Sequence, residues 1–395
     1  MNVTDILLIL GLLFLLGLGA DLLGRFTSLP RVTLLLLGGL AVGPSGLSLI
    51  PTVFVEEWFP ALTTIALALI GFLLGHQFSL SAMRAHGKTI IVISTCKVFG
   101  AAIAVGLVLW LVGASPVVAL LLAAIAPATA PTATYDVVHE DGARGEIVDA
   151  LLSIVALDDV WGLLVFIVIV SIAGMLNGDT SIGGGLESSL IDIGGSLALG
   201  GLLGMPMAYL TGRIRRGEPT LAEAMGFVLL GAGIAEWLGL ISILTAMAMG
   251  ATVANLARHH ERPFHAIEDV EWPFMILFFV LAGASLEVGA IAIAGALTAL
   301  YVLARCSGIF VGTRIGVRLA GVERTSFKWL GLALFPQAGV AIGMALMASQ
   351  RFPEYGAVVL QVVLASTVVL EIVAPVVTRK ALRLSGAYRA EGHSG

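Results

Sequence analysis

Apolar runs of about twenty residues recur along the whole chain with only short connections between them. Nothing else in the sequence limits its fold so strongly, because a helix needs about 20 apolar residues to cross the ~30 Å hydrocarbon core of a bilayer. Thirteen such runs are legible, near 4–24, 31–50, 58–80, 88–113, 115–138, 147–174, 189–211, 221–238, 240–258, 272–287, 289–319, 327–350 and 355–378. With 58% hydrophobic residues and 12% charged ones, the chain lacks the polar skin that a water-soluble domain of its length requires. A soluble enzyme and a disordered chain are thereby excluded. A net charge of -5 leaves no basic surface for nucleic acid. The expectation is an all-α polytopic membrane protein with about 13 transmembrane helices. It forms a single membrane transport unit over 1–395, with no soluble domain and a function that lies inside the bilayer.

Basic residues set the orientation. Of the 21 Lys and Arg, eighteen fall in the connections after odd-numbered runs or at the C-terminus, among them Arg25, Arg144, Arg215, Arg258, Arg318 and Arg383. Arg351 alone lies on the other side, and Lys97 and Arg305 lie within runs. The N-terminus is therefore expected outside and the C-terminus in the cytoplasm. The first run has no basic segment before it and reads as a retained span rather than a signal peptide. Cys96 and Cys306 sit in apolar runs and read as packing residues, with neither a disulfide nor a metal site.

A weak internal repeat links the two halves. Gly71 and Gly75 close the third run, and Gly283 lies in the tenth. Lys97 follows Gly75 by 22 residues, and Arg305 follows Gly283 by 22. A proline break comes 56 residues after Gly75, at Pro131, and 53 after Gly283, at Pro336. Seven runs separate the copies, an odd number, so they insert with opposite sense. Inverted repeats with interrupted helices are typical of secondary transporters.

The sixth run carries adjacent acids, Asp158 and Asp159. They lie about eleven residues from its inner end, roughly 16–18 Å deep, close to mid-bilayer. Each ionisable group there costs on the order of 2.5–3.5 kcal/mol. Two neighbouring carboxylates do not both ionise unaided: one holds a proton, or a cation sits between them. That competition is what a proton-for-cation exchanger needs. Arg305, near the middle of the eleventh run, needs a counter-charge, and Asp158 or Asp159 is the expected partner. Arg stays protonated, so it can tune a carboxylate but cannot carry the transported proton.

Two segments break helical logic at membrane depth: Ala126 to Thr134, with Thr129, Pro131 and Thr132, and Phe335 to Gly339, with Pro336 and Gln337. Proline removes a backbone donor and disfavours helix before it. Unwound backbone at this depth must be buried in protein or line a cavity, where threonine and carbonyl oxygens suit a hard cation. Lys97 and Glu371 lie at similar depths and read as a second, structural ion pair. His259, His260 and His265 read as solvated loop, and Asp149 and Glu146 as the inner mouth of the sixth run. Glu223 and Glu236 have no assigned partner.

Four stretches resemble the monovalent cation:proton antiporter superfamily, in which bacterial sodium/proton antiporters and the membrane part of Kef-type potassium efflux systems fall. They are Leu29-Pro-Arg-Val-Thr33 with Gly43-Pro-Ser-Gly46, Ala126 to Thr134, Ala156-Leu-Asp-Asp159, and Leu330 to Gly343. The resemblance implies two crossed discontinuous helices. It also implies a core domain (88–174 and 289–378), a panel-like dimerisation domain (1–80 and 221–287) and a linking helix (189–211). Asp159 then corresponds to the ion-binding carboxylate, Asp158 to its partner beside Arg305, and Thr129 to the threonine of the family's Thr-Asp motif. Three positions depart from the pattern. Ala130 replaces that aspartate, Arg305 stands where Asp-Asp members usually have Lys, and Ile154 stands where the Asn-Asp branch has Glu. One proton per cation follows if only Asp159 exchanges, and two if both aspartates titrate.

The implied activity is exchange of Na+, K+ or Li+ for H+ by a homodimer in a bacterial-type inner membrane, with no cofactor and no enzymatic step. A Kef-type potassium efflux transporter and a sodium-coupled organic-solute symporter on the same fold remain open at this stage. An intramembrane aspartyl protease is disfavoured, because its Gly-x-Gly-Asp motif is missing.

Overall fold

The structure, a computed structural model, describes residues 3–26, 31–76, 87–140, 142–176, 185–211, 220–257, 261–285, 288–322, 325–337 and 339–387. Among them the chain is all-α. Residue contacts divide it into two compact units: 1–27, 34–85 and 180–286 form the first, and 28–33, 86–179 and 287–395 the second.

The first unit contains α1 (Val3–Phe26), most of α2 (Arg31–Val42), α3 (Thr52–Gly75), α8 (Gly185–Thr211), α9 (Thr220–Trp237), α10 (Ser242–Leu256) and α11 (Glu261–Ala284). Its core gathers Leu69, Phe72, Met207, Val228, Met249, Val253 and Phe264. Gly75 is what lets α3 approach α10, since a Cβ there would lie 2.6 Å from Ala251 N and 2.7 Å from Gly250 Cα. Small residues at helix contacts are the usual device in membranes, where the lipid supplies no hydrophobic drive between helices. The expected linking helix, 189–211, lies in α8 within this unit.

The second unit contains α4 (Lys88–Leu111), α5 (Pro116–Ile125), α6 (Pro131–Glu140), α7 (Glu146–Leu176) and α12 (Val288–Leu319). A 3-10 helix (Thr325–Leu334), α13 (Gly339–Arg351) and α14 (Pro353–Leu384) complete it. Helix α4 is apolar all round, as a membrane-buried helix must be. Phe99, Ile103, Leu107 and Trp110 form an exposed stripe on it, and Ile93, Ala101, Val105 and Leu109 point inward. Its inner face meets α12 backbone to backbone: a Cβ on Gly100 would lie 2.6 Å from Gly308 O and 2.8 Å from Gly312 Cα. Gly308, Gly312 and Gly316 recur every fourth residue and present one flat face to α4.

Both proline segments interrupt helices where the sequence puts them. Helix α5 stops at Ile125, residues 126–130 are not helical, and Pro131 opens α6, a position suited to a residue with no N–H. The 3-10 helix stops at Leu334, Phe335 to Gln337 are not helical, and α13 starts at Gly339. The stretches 327–334 and 339–349 diverge by 52°. Among the described residues seven helices are long and apolar enough to cross a bilayer, and this bent pair is an eighth candidate. Helix α7 spans 31 residues. Cys96 and Cys306 are both free thiols.

Candidate ion site at two interrupted helices

Two prolines leave the first break with backbone oxygens that its own helix cannot satisfy. Pro131 has no N–H to offer the carbonyl of Pro127, and residues 126–130 have left helical geometry. Helix α4 supplies the replacement. Lys97 Nζ donates to Pro127 O at 2.6 Å, to Thr129 Oγ1 at 2.6 Å and to Asp158 Oδ2 at 2.6 Å. Those three acceptors use the three hydrogens of an ammonium. Lys97 and Asp158 are both fully buried, so each charge is held by the other and by short charge-assisted bonds. Ser94, one turn before Lys97 on the same face, donates to Asp158 Oδ1 at 3.3 Å.

The second cation gathers the remaining oxygens. Arg305 on α12 is fully buried. It donates from Nε to Ala126 O at 2.9 Å, from Nη1 to Phe335 O at 2.7 Å, and from Nη2 to Ala128 O at 2.6 Å and Pro336 O at 3.4 Å. A planar fork with five donors suits such an array better than a point ammonium does. The guanidinium thus caps the carbonyl ends of α5 and of the 3-10 helix, where the helix dipole favours positive charge. The breaks also bond directly, Ala130 N donating to Pro336 O at 3.0 Å. Thr129, 1% exposed, lies 3.5 Å from Leu334 O and so bridges the same two segments.

This arrangement differs from one pairing expected from the sequence. The cation on Asp158 is Lys97, and Arg305 binds four backbone carbonyls instead of that carboxylate. Lys97, read as a structural partner for Glu371, has its described ion pair with Asp158. The physical reason is the demand made by the breaks, whose stranded carbonyls draw in the donors of these two buried cations. Glu371 lies on α14 and is 3% exposed. Gln337, fully buried in the second break, donates from Nε2 to Tyr301 Oη at 3.0 Å. Asp159 follows Asp158 within α7, and Pro131 and Thr132 open α6; the side chains of all three lie outside the described ones.

Ser94 and Tyr301 were not singled out by the sequence reading. Ser94 has a signal in retrospect, since it precedes Lys97 by three residues and so shares its helical face. The carbonyls of Ala126, Pro127, Ala128, Phe335 and Pro336 have none beyond the prolines that free them.

The family model described as "Sodium/hydrogen exchanger, transmembrane" matches residues 9–383. The chain belongs to the sodium/hydrogen exchanger family. It is accordingly a multi-pass membrane protein and a cation/proton antiporter rather than an enzyme. Among solved structures, the exchanger is similar to the sodium proton antiporter MjNhaP1 from Methanocaldococcus jannaschii at pH 8. The TM-score is 0.76 at 20% identity, over 98% of this chain and 100% of that one. An electron-microscopy structure of the same antiporter gives a TM-score of 0.71 at 20% identity, over 99% and 100%. At that identity the likeness establishes the fold. Comparison with curated proteins by sequence gives no match.

Proposed function

We propose that this exchanger moves Na+, or K+ or Li+ in its place, against H+, with Asp159 as the carboxylate that binds either ligand. The observation that carries this reading is the Lys97–Asp158 pair. Asp158 has a fixed counter-charge whose three hydrogens are all engaged, so exchange falls to its neighbour. In this reading Thr129 is the threonine oxygen of the site, and the breaks at Pro131–Thr132 and Pro336–Gln337 are its source of backbone oxygens and helix ends. Arg305 holds the two breaks together as one body.

The charges then favour one stoichiometry. Lys97 cancels Asp158, Arg305 stays positive throughout, and Asp159 is neutralised by one proton or by one monovalent cation. The site carries the same net charge with either ligand, so one proton moves per cation and the cycle moves no net charge. Alternating access proceeds by movement of the second unit, which holds the site, in a homodimer. The thirteen-span topology has the N-terminus outside and the C-terminus in the cytoplasm of an inner membrane.

Proteoliposomes test this reading. Cation-driven proton flux is measured with Na+, K+ and Li+ gradients while the membrane potential is stepped. The account expects a rate unchanged by the step. A rate that follows the potential would mean that more than one proton moves per cation, and would remove Lys97 and Asp158 from their fixed role.

A further inference from the structure

Helix α12 reaches the second break from two places one turn apart. Tyr301 and Arg305 are separated by four residues and share one face of the helix. Arg305 donates to the carbonyls of Phe335 and Pro336. Tyr301 holds the next residue, its Oη accepting from Gln337 Nε2 at 3.0 Å. Three consecutive residues of the break are therefore fastened to one helix. The two fastenings differ in kind. Arg305 also donates to Ala126 O and Ala128 O, so it ties the breaks to each other. The Tyr301 hydroxyl bonds, among the described residues, to the second break alone, and there it is the only hydrogen-bond partner of the Gln337 side chain.

Packing alone explains neither residue. Tyr301 and Gln337 are both fully buried. Phe would fill the place of Tyr301 without a hydroxyl that needs a partner. Met would fill much of the place of Gln337 without an amide oxygen. Gln337 Oε1 has no partner among the described residues, a cost that an apolar side chain avoids. The pair makes sense as a bond from α12 to the break. A phenol both donates and accepts, so the bond holds whichever way the amide is turned. What it controls is the far end of the break. Pro336 O is already set by Arg305 and by Ala130 N, and the residue that follows is set by Tyr301. An oxygen cage selects among cations by its size and by how firmly its spacing is held, so small displacements of its supports matter.

We propose that Tyr301 is a positioning residue for cation selection: its hydroxyl, acting through Gln337, fixes the second break against α12 and so sets the spacing of the oxygens presented to the transported ion. This rests on the reading that the two breaks supply those oxygens. Tyr301 does not touch the ion. Without its hydroxyl the cage still forms, since Arg305 keeps its four carbonyls, but it yields to ions of the wrong radius.

The test uses the full-length protein in proteoliposomes, with Na+, K+ and Li+ in turn. For each ion the concentration for half-maximal proton flux and the maximal rate are read, and Tm is followed in detergent on the same preparation. In Tyr301→Phe the ratio of half-maximal concentrations between the poorest and the best ion falls roughly two- to tenfold, the range that loss of one neutral hydrogen bond gives. The maximal rate changes less. Gln337→Met produces the same fall, and the double variant falls no further than either single, since each removes the same bond. An unchanged ratio in Tyr301→Phe, whatever its Tm, would mean a hydroxyl that serves the fold alone and would overturn the proposal. So would falls that multiply in the double variant, or an unsubstituted protein that takes the three ions alike. If Tyr301→Phe does not fold, Gln337→Met decides by the same ratio. The two readings fail separately: flux persisting in Asp159→Asn defeats the exchange assignment, and an unchanged ratio with flux intact defeats only the role of Tyr301.

Discussion

Replacing Lys97 by Met probes the pair on which the exchange site rests. The substitution keeps much of the side-chain volume and removes the charge. It strands Asp158, which is 0% exposed, and it leaves Pro127 O without the donor that replaces the missing Pro131 N–H. Breaking one side of a buried ion pair costs about 3–5 kcal/mol. Asp158→Leu strands the ammonium and costs a similar amount. In the double variant no buried charge remains. Replacing both partners of such a pair by apolar groups is often neutral, so the residual cost is the orphaned Pro127 carbonyl, about 1–3 kcal/mol. The two singles together should therefore exceed the double by about 3 kcal/mol or more. The assay is reversible unfolding of the purified protein in mixed detergent micelles, with the four members of the cycle side by side. Additivity within about 0.5 kcal/mol would refute the reasoning, because it would mean that Lys97 and Asp158 do not depend on each other.

Other consequences are more local. Arg305→Lys keeps the charge but cannot reach four carbonyls with three hydrogens; melting temperature and flux should both fall, and Arg305→Met should fall further on both measures. Gly312→Val drives a side chain into the Cys96 backbone and should cost about 3 kcal/mol as an overpacked contact. Gly194→Ala, where a Cβ meets nothing within 4 Å, should be neutral or stabilise by up to about 1 kcal/mol, and the same melts compare the two. Thr129→Val removes an oxygen that Lys97 contacts at 2.6 Å and should raise the cation concentration for half-maximal flux about tenfold, measured in proteoliposomes.

The sequence reading reached the helices and the breaks because both are written in local chemistry. Apolar length gives the spans, and Pro127, Pro131 and Pro336 tell where helical hydrogen bonding must fail. Spacing from Gly75 and Gly283 also brought out Lys97 and Arg305 as matched positions. What spacing cannot give is the rotation of each helix about its axis. Lys97 and Arg305 both turn toward the breaks, and which one also meets Asp158 depends on how α4, α7 and α12 pack. Charge pairing in sequence considers only side chains, so Arg305 was matched to a carboxylate, while the acceptors that hold it are backbone carbonyls. Gly308, Gly312 and Gly316 form a small-residue stripe legible in the sequence, but that its partner is α4 emerges only from the fold.

The central claim is that Asp159 is the exchanging group and Asp158 the fixed one. Cation-driven proton flux in proteoliposomes containing Asp159→Asn tests it most directly, with unfolding of the same sample confirming the fold. The account predicts flux no greater than in protein-free liposomes. Flux near that of the unsubstituted protein would contradict it and move the transport site away from Asp159.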